Sequence, residues 1–182
     1  MNSFLRYVLC FSLCLTTLVS CIEDQDFGQY DDLNLTPTLE ASILYIESPE
    51  SFINAAGDVD IISRDFNFDA FSSDVFAKRV LDGTITYIVE NTTSKDDIRV
   101  RVELLNADGG VIDVENIPPV APGSEYRLDI AYGNSGKNIN IIKFTSSIRV
   151  TATNEGDSTS TSDLPDPKII LKSSGKFRVD IK

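Results

Sequence analysis

The side chains of this sequence best suited to chemistry are carboxylates. Asp65-Phe66-Asn67-Phe68-Asp69 sets three oxygen donors on alternate positions, the spacing with which a calcium loop begins. The EF-hand template then asks for Gly at its sixth position and Glu at its twelfth. Here those positions hold Ala70 and Phe76, so the sharp turn and the bidentate ligand are both missing. The alternative is an edge strand or loop that buries Phe66 and Phe68 and leaves Asp65, Asn67 and Asp69 in water. The acidic pairs Asp96-Asp97 and Asp163 with Asp166 are a second resource, since carboxylates about 5–10 Å apart serve as acid and base in glycoside hydrolysis. Nothing in the sequence places either pair in a pocket, and acids at strand ends are ordinarily solvated. His is absent, which removes Ser-His-Asp and Cys-His triads, imidazole metal ligands and a proton shuttle near neutral pH. The expectation is a protein that is not an enzyme and uses no cofactor.

One thiol stands apart. Cys21 closes the run Leu18-Val19-Ser20-Cys21, at the edge of an apolar stretch over residues 8–19 that follows a short leader carrying Arg6. About a dozen apolar residues match the hydrophobic region of a secretory signal, whereas a membrane-spanning helix needs roughly 20. Leu18, Val19, Ser20 and Cys21 resemble the lipobox of bacterial lipoproteins. The resemblance implies that residues 1–20 are a signal peptide and that the Cys21 sulfur carries diacylglycerol at the mature N-terminus. Each buried methylene adds ~0.8 kcal/mol, so two or three chains on one cysteine make a lasting membrane anchor.

Glu23, Asp24 and Asp26 follow at once, and Asp31 and Asp32 continue the acidic character of a tether over residues 21–37. This arm resembles the acidic export signal behind the cysteine of surface lipoproteins of the Bacteroidota, which implies an outer-membrane protein exposed on the cell surface. A solvated linker whose charge keeps the domain off the headgroups, with the domain on the periplasmic face, is the other reading.

Composition narrows the partners. The formal net charge is −12, and loss of residues 1–20 removes Arg6 alone and makes it −13. Neither a Lys/Arg cluster nor a basic helix is present, so nucleic acid is disfavoured. Cys10 and Cys14 leave with the leader and Cys21 is taken by lipid, so the mature domain has no disulfide and depends on its core. Trp is absent, which weakens a sugar-platform reading and leaves Tyr and Phe as the aromatic surfaces.

These residues must be positioned by strands. Alternating apolar and polar residues predict strands over 39–47, 80–91, 98–104, 111–114 and 126–132. Ile98, Val100, Val102 and Leu104 point inward there, against Arg99, Arg101 and Glu103. Residues 139–144 and 148–153 read as one bent strand or two short ones, and 168–171 with 177–181 as a closing hairpin turned by Ser173-Ser174-Gly175. Ser48 as a cap, Pro49 as first helical residue and Gly57 as terminator predict a short helix, and Ser72 or Ser73 caps a helical turn through Lys78.

Two short motifs lie in turns. Asn91-Thr92-Thr93 fits a glycosylation pattern, but the lipobox argues for a bacterial cell and a strand-end turn is the better reading. Asp157-Ser158-Thr159 resembles the O-glycosylation acceptor of Bacteroidota envelope proteins, which makes Ser158 a candidate modification site.

Eight to ten short strands with turns between them predict an all-β protein. The expected form is an antiparallel β-sandwich of immunoglobulin-like or related Greek-key topology with one or two short helices, a closed barrel being the competing architecture. Residues 38–182 form its single domain. The function expected is that of a lipid-anchored, non-catalytic envelope protein acting in binding or assembly with an unknown protein or glycan partner. A periplasm-facing accessory subunit of a transport or secretion complex is the alternative, and a carboxylate-dependent glycan hydrolase comes third.

Overall fold

The computed structural model describes residues 35–57, 60–134 and 136–181. In chain order these form β1 (Thr38–Pro49), α1 (Glu50–Ala56), β2 (Asp60–Asn67), α2 (Asp69–Ser72), α3 (Asp74–Ala77), β3 (Val80–Asn91), β4 (Ile98–Leu105), β5 (Val111–Ile117), β6 (Ser124–Tyr132), α4 (Ile139–Phe144), β7 (Ser147–Asn154) and β8 (Lys168–Val179). One sheet has the order β1-β8-β3-β6 and the other β2-β7-β4-β5, with every neighbouring pair antiparallel. Two interleaved four-stranded sheets in this order are a jelly roll, the Greek-key alternative within the expected β-sandwich. The two sheets remain separate, so the barrel is set aside.

The sandwich closes because its central strands each carry one apolar face. Ile85, Tyr87 and Val89 on β3 meet Leu171 and Phe177 from β8 within the first sheet, and Ile98, Val100, Val102 and Leu104 on β4 lie beside Ile148 and Val150 on β7 in the second. All of these are buried and form one cluster. On the wet face of β4 Glu103 is also buried, because Arg101 and Arg149 both reach it.

The register defines two ends. Thr38 lies opposite Arg178, and the amide of Ile181 donates to the carbonyl of Leu35, so the sandwich is entered and left at one end, here called proximal. That end also carries α2, α3, the β4–β5 turn and α4. Pro49 pairs with Lys168 and Asn91 with Ser124 at the distal end, where the β1–β2, β3–β4, β5–β6 and β7–β8 connections gather.

Phenylalanines seal the proximal core. The Phe177 ring packs edge-on against Phe71 and Phe76, with centroids 5.2 and 5.3 Å away, and Phe71 meets Phe68 at 4.5 Å. Two glycines make room for that ring. A Cβ on Gly83 would come within 2.2 Å of Phe177 Cδ1, and one on Gly175 within 2.5 Å of its Cε2.

Three local expectations are corrected. Residues 139–144 form a helix and not a strand, because the Asn138 side chain accepts from the Asn140 amide at its start and Ile139 and Ile142 fall on one helical face. No hairpin closes the chain: β8 runs unbroken from Lys168 to Val179 between β1 and β3, and Gly175 serves the Phe177 ring instead of a turn. Ser48 does not cap α1, since the ladder to β8 holds it extended through Pro49 and the helix begins without a side-chain cap.

Candidate functional site

The distal end is where distant parts of the chain converge on polar groups. Glu50, the first residue of α1, is 3% exposed. Its Oε1 accepts from the Ser94 amide and hydroxyl, both at 2.6 Å, and its Oε2 accepts from the Ser162 amide at 2.8 Å. The β1–β2, β3–β4 and β7–β8 connections are thereby joined through one carboxylate.

Lys95 is the second centre, with its side chain 1% exposed. Its Nζ donates to the Ser160 carbonyl at 2.8 Å and hydroxyl at 2.9 Å, and lies 3.6 Å from Asp157 Oδ2. The third is Asn91, at the end of β3. Its Nδ2 donates at 2.6 Å to the carbonyls of Lys95 and Val120, bringing in the β5–β6 connection, while its Oδ1 accepts from the Thr93 amide and hydroxyl. Buried polar groups are costly unless paired, and here each is paired to another loop, so the network fixes four connections into one platform.

Its electrostatics follow. Burial raises the Glu50 carboxyl, but the hydrogen bonds from Ser162 and Ser94 and the Lys95 charge outweigh it and hold the group below its ordinary value. Hydrogen bonds from Ser160 and Thr159 hold Asp157 far lower. Both oxygens of Glu50 are committed to partners, and three acceptors surround the Lys95 ammonium. The arrangement suits rigid presentation of the surrounding loops, not proton transfer. Around it stand the exposed acids Asp96, Glu155, Asp163 and Asp166 with the exposed Phe52 and Leu164.

A second polar surface lies on the outer face of the β2-β7-β4-β5 sheet, a groove between Arg99, Arg101, Asn116, Thr151, Thr153 and Glu155. Arg99 donates to Glu155 at 2.5 Å and Arg101 to Glu103 at 2.8 Å, which balances the charge.

The residues singled out in the sequence fall as follows. Leu18, Val19, Ser20, Cys21, Glu23, Asp24 and Asp26 lie outside the described residues. Asp65 takes a two-pronged contact from Arg149 at 2.6 and 2.9 Å, Asn67 accepts from the Asp69 amide, and Asp69 accepts from the Ser146 hydroxyl. The three are thus engaged separately, and no group of three or more His, Cys, Asp or Glu is arranged for a metal among the described residues. Asp97 lies 3.8 Å from Arg99, and Asp166 pairs with Lys168 at 2.7 Å, so one acid of each pair stands against a cation. Asn91 is 1% exposed with its amide spent, as the strand-end reading requires. Ser158 sits half-buried between the exposed Asp157 and Thr159 in the distal β7–β8 loop.

Glu50, Lys95 and Ser160 are not legible as a site in the sequence. Each looks locally like a helix start or a polar turn, and only the strand order brings them together. Asn91 gives the one usable signal, a polar residue continuing the inward period of β3.

No family model matches this chain, and no curated protein does. Solved structures with a similar trace include one of Bacillus endospore appendages, described as disulfide-linked pili (7% identity, 81% of this chain and 92% of that chain, TM-score 0.37). Others are the infectious bursal disease virus VP2 subviral particle (14% identity, 82% of this chain and 33% of that chain, TM-score 0.36) and Desmodium yellow mottle tymovirus (10% identity, 82% and 91%, TM-score 0.34). At these values the likeness carries no statement about this chain.

Proposed function

We propose that this chain is a lipid-anchored, non-catalytic protein of the outer membrane, exposed on the cell surface, that presents its distal loops to a protein or glycan partner. The observation that supports this reading most is the polarity of the fold. The sandwich is entered at the proximal end, and β1 then runs its 12 residues to the distal platform, about 40 Å at roughly 3.3 Å per residue. A tether from Cys21 therefore joins the domain at the end opposite the four joined loops. Among the described residues no helix is long and apolar enough to cross a membrane.

The test is fatty-acid labelling of cells making the native chain or Cys21→Ala, followed by protease treatment of intact cells. The native form is expected to take up label, to sediment with outer membranes and to lose its distal loops to protease. An unlabelled native chain, or a Cys21→Ala form that matures and partitions unchanged, refutes the anchor. A labelled chain that survives shaving places the domain on the periplasmic face instead.

A further inference from the structure

Large apolar side chains are exposed unevenly over this domain. Leu35, Val75, Leu81, Val111, Phe144 and Ile181 all belong to the proximal end, Leu39 and Tyr45 lie along the edge strand β1, and Phe52 and Leu164 are the pair at the distal end. Val75 and Phe144 stand out furthest, at 73% and 63% exposure. Val75 is in α3 and Phe144 in α4, two helices in contact: Asp74 and Ala77 of α3 with Lys78 after it, the β4–β5 turn, and Lys143 and Phe144 of α4 line one open groove, and Val75 stands outside it. Single exposed apolar residues are ordinary, but a cluster of them ringed by polar residues marks a contact surface.

Charge is mixed at both ends. The distal rim carries the exposed acids Asp96, Glu155, Asp163 and Asp166 with Arg99 and Lys168, and Lys78, Arg79 and Lys143 stand at the proximal end beside Asp69, Asp74 and Asp108. Lys78 also pairs with Asp74 at 3.0 Å.

The chain outside the described residues selects the occupant. Cys21 lies only fourteen residues before Leu35, so the proximal end stays within about 50 Å of whatever holds that cysteine. Such confinement raises the effective concentration of the surface to the millimolar range, where a contact too weak to hold a free protein is still occupied.

We propose that the proximal end is a membrane-contact surface. Val75 and Phe144 enter the headgroup region of the leaflet that holds the Cys21 acyl chains, and Lys78 and Lys143 lie at the level of the phosphates. This inference rests on the lipid-anchor reading.

Cys21 is the sole thiol of the mature chain and is consumed by lipid, so a new cysteine can be labelled selectively. The full mature lipoprotein bearing Val75→Cys, Phe144→Cys, Phe52→Cys or Leu164→Cys is labelled with a polarity-sensitive fluorophore. It is then reconstituted in phosphatidylethanolamine–phosphatidylglycerol vesicles with and without nitroxide phospholipid. Quenching at positions 75 and 144 is expected to exceed that at 52 and 164 by about two-fold or more, as for side chains at the headgroup boundary. Equal quenching at all four positions, in protein that still floats with the vesicles, overturns the contact and leaves the anchor standing. Protein that carries no acyl chain and does not float removes the anchor and the contact together. A blue shift at position 144 without nitroxide quenching, accompanied by crosslinked dimers, assigns the surface to a second copy of the chain and overturns the membrane reading.

Discussion

The Lys95 ammonium donates at 2.8 Å to the main-chain carbonyl of Ser160, 65 positions further along the chain. The Asn54 side-chain amide donates to the same oxygen at 3.1 Å, so three connections meet at one carbonyl. Replacing Lys95 by Ala leaves these acceptors without their charged donor. The expected loss is about 1.5–3 kcal/mol of unfolding free energy, the usual range for a hydrogen bond to a charged group. Urea denaturation of Lys95→Ala measures it, and faster proteolysis in the β7–β8 loop should accompany it.

Acid should weaken the same platform. Glu50 and Asp157 are both held below their ordinary values, so each binds a proton less readily folded than unfolded. The stability they add is present above the unfolded carboxylate range of about 3.9–4.3 and is lost as pH falls through the folded values. Denaturation midpoints are therefore expected to hold from neutral pH to about 5 and to drop below it, with a shallower drop in Glu50→Gln.

The inward acids of β5 should reverse that dependence when unpaired. Lys137 Nζ donates to Asp113 at 2.8 and 2.9 Å and to Glu115 at 2.5 Å, and the Tyr132 hydroxyl donates to Asp113 at 3.1 Å. Lys137→Met leaves two neighbouring carboxylates without their cation, and protonating one relieves the repulsion. The variant is expected to be more stable near pH 5 than near pH 7, a comparison that thermal melts at the two values settle.

Tyr87 Oη and Ser48 Oγ are buried and find no hydrogen-bond partner among the described residues. The Tyr87 hydroxyl lies in the core near Glu115 and Asp113, where burial first and those charges second push its ionisation up, and Ser48 lies just ahead of α1. Removing an unsatisfied buried hydroxyl removes its desolvation cost, about 1–3 kcal/mol at most. Tyr87→Phe and Ser48→Ala are thus expected to raise the denaturation midpoint, and a fall in either shows that its oxygen is paired in solution.

The Phe177 ring and Gly83 should behave as a coupled pair. Phe177→Ala is expected to cost about 3–5 kcal/mol as a deleted core aromatic. In the native background Gly83→Ala drives a methyl into the ring, whereas once the ring is gone that clash is removed and the 2.6 Å approach to the Lys176 carbonyl remains. The double variant Gly83→Ala/Phe177→Ala should therefore lose less than the two single losses combined, which a double-mutant cycle reads directly.

The fold is most legible where one face of a strand is buried and the other wet. Alternation alone gives Val80–Asn91 its observed bounds, and the inward set Ile98, Val100, Val102 and Leu104 is buried as expected, because period-two alternation is a local property. The pattern misleads where local and tertiary signals differ. Ile139, Ile141 and Ile142 favour a strand by residue type, yet the Asn138 cap and the buried Ile142 make a helix. Ser173-Ser174-Gly175 has turn composition, yet ladders on both sides keep it extended. Strand order and the distal network escape the sequence for one reason: Glu50 meets Ser162, and Lys95 meets Ser160, only after β8 has inserted between β1 and β3.

That insertion has a consequence for how the protein is made. The segment from Lys168 to Val179 supplies the partner for β1 along its whole length and one of the two partners of β3, yet it follows the other seven described strands in chain order. A nascent polypeptide that stops short of it has an unpaired first strand and lacks the aromatic plug. Topology thus delays completion of the β1-β8-β3-β6 sheet until this segment has been made.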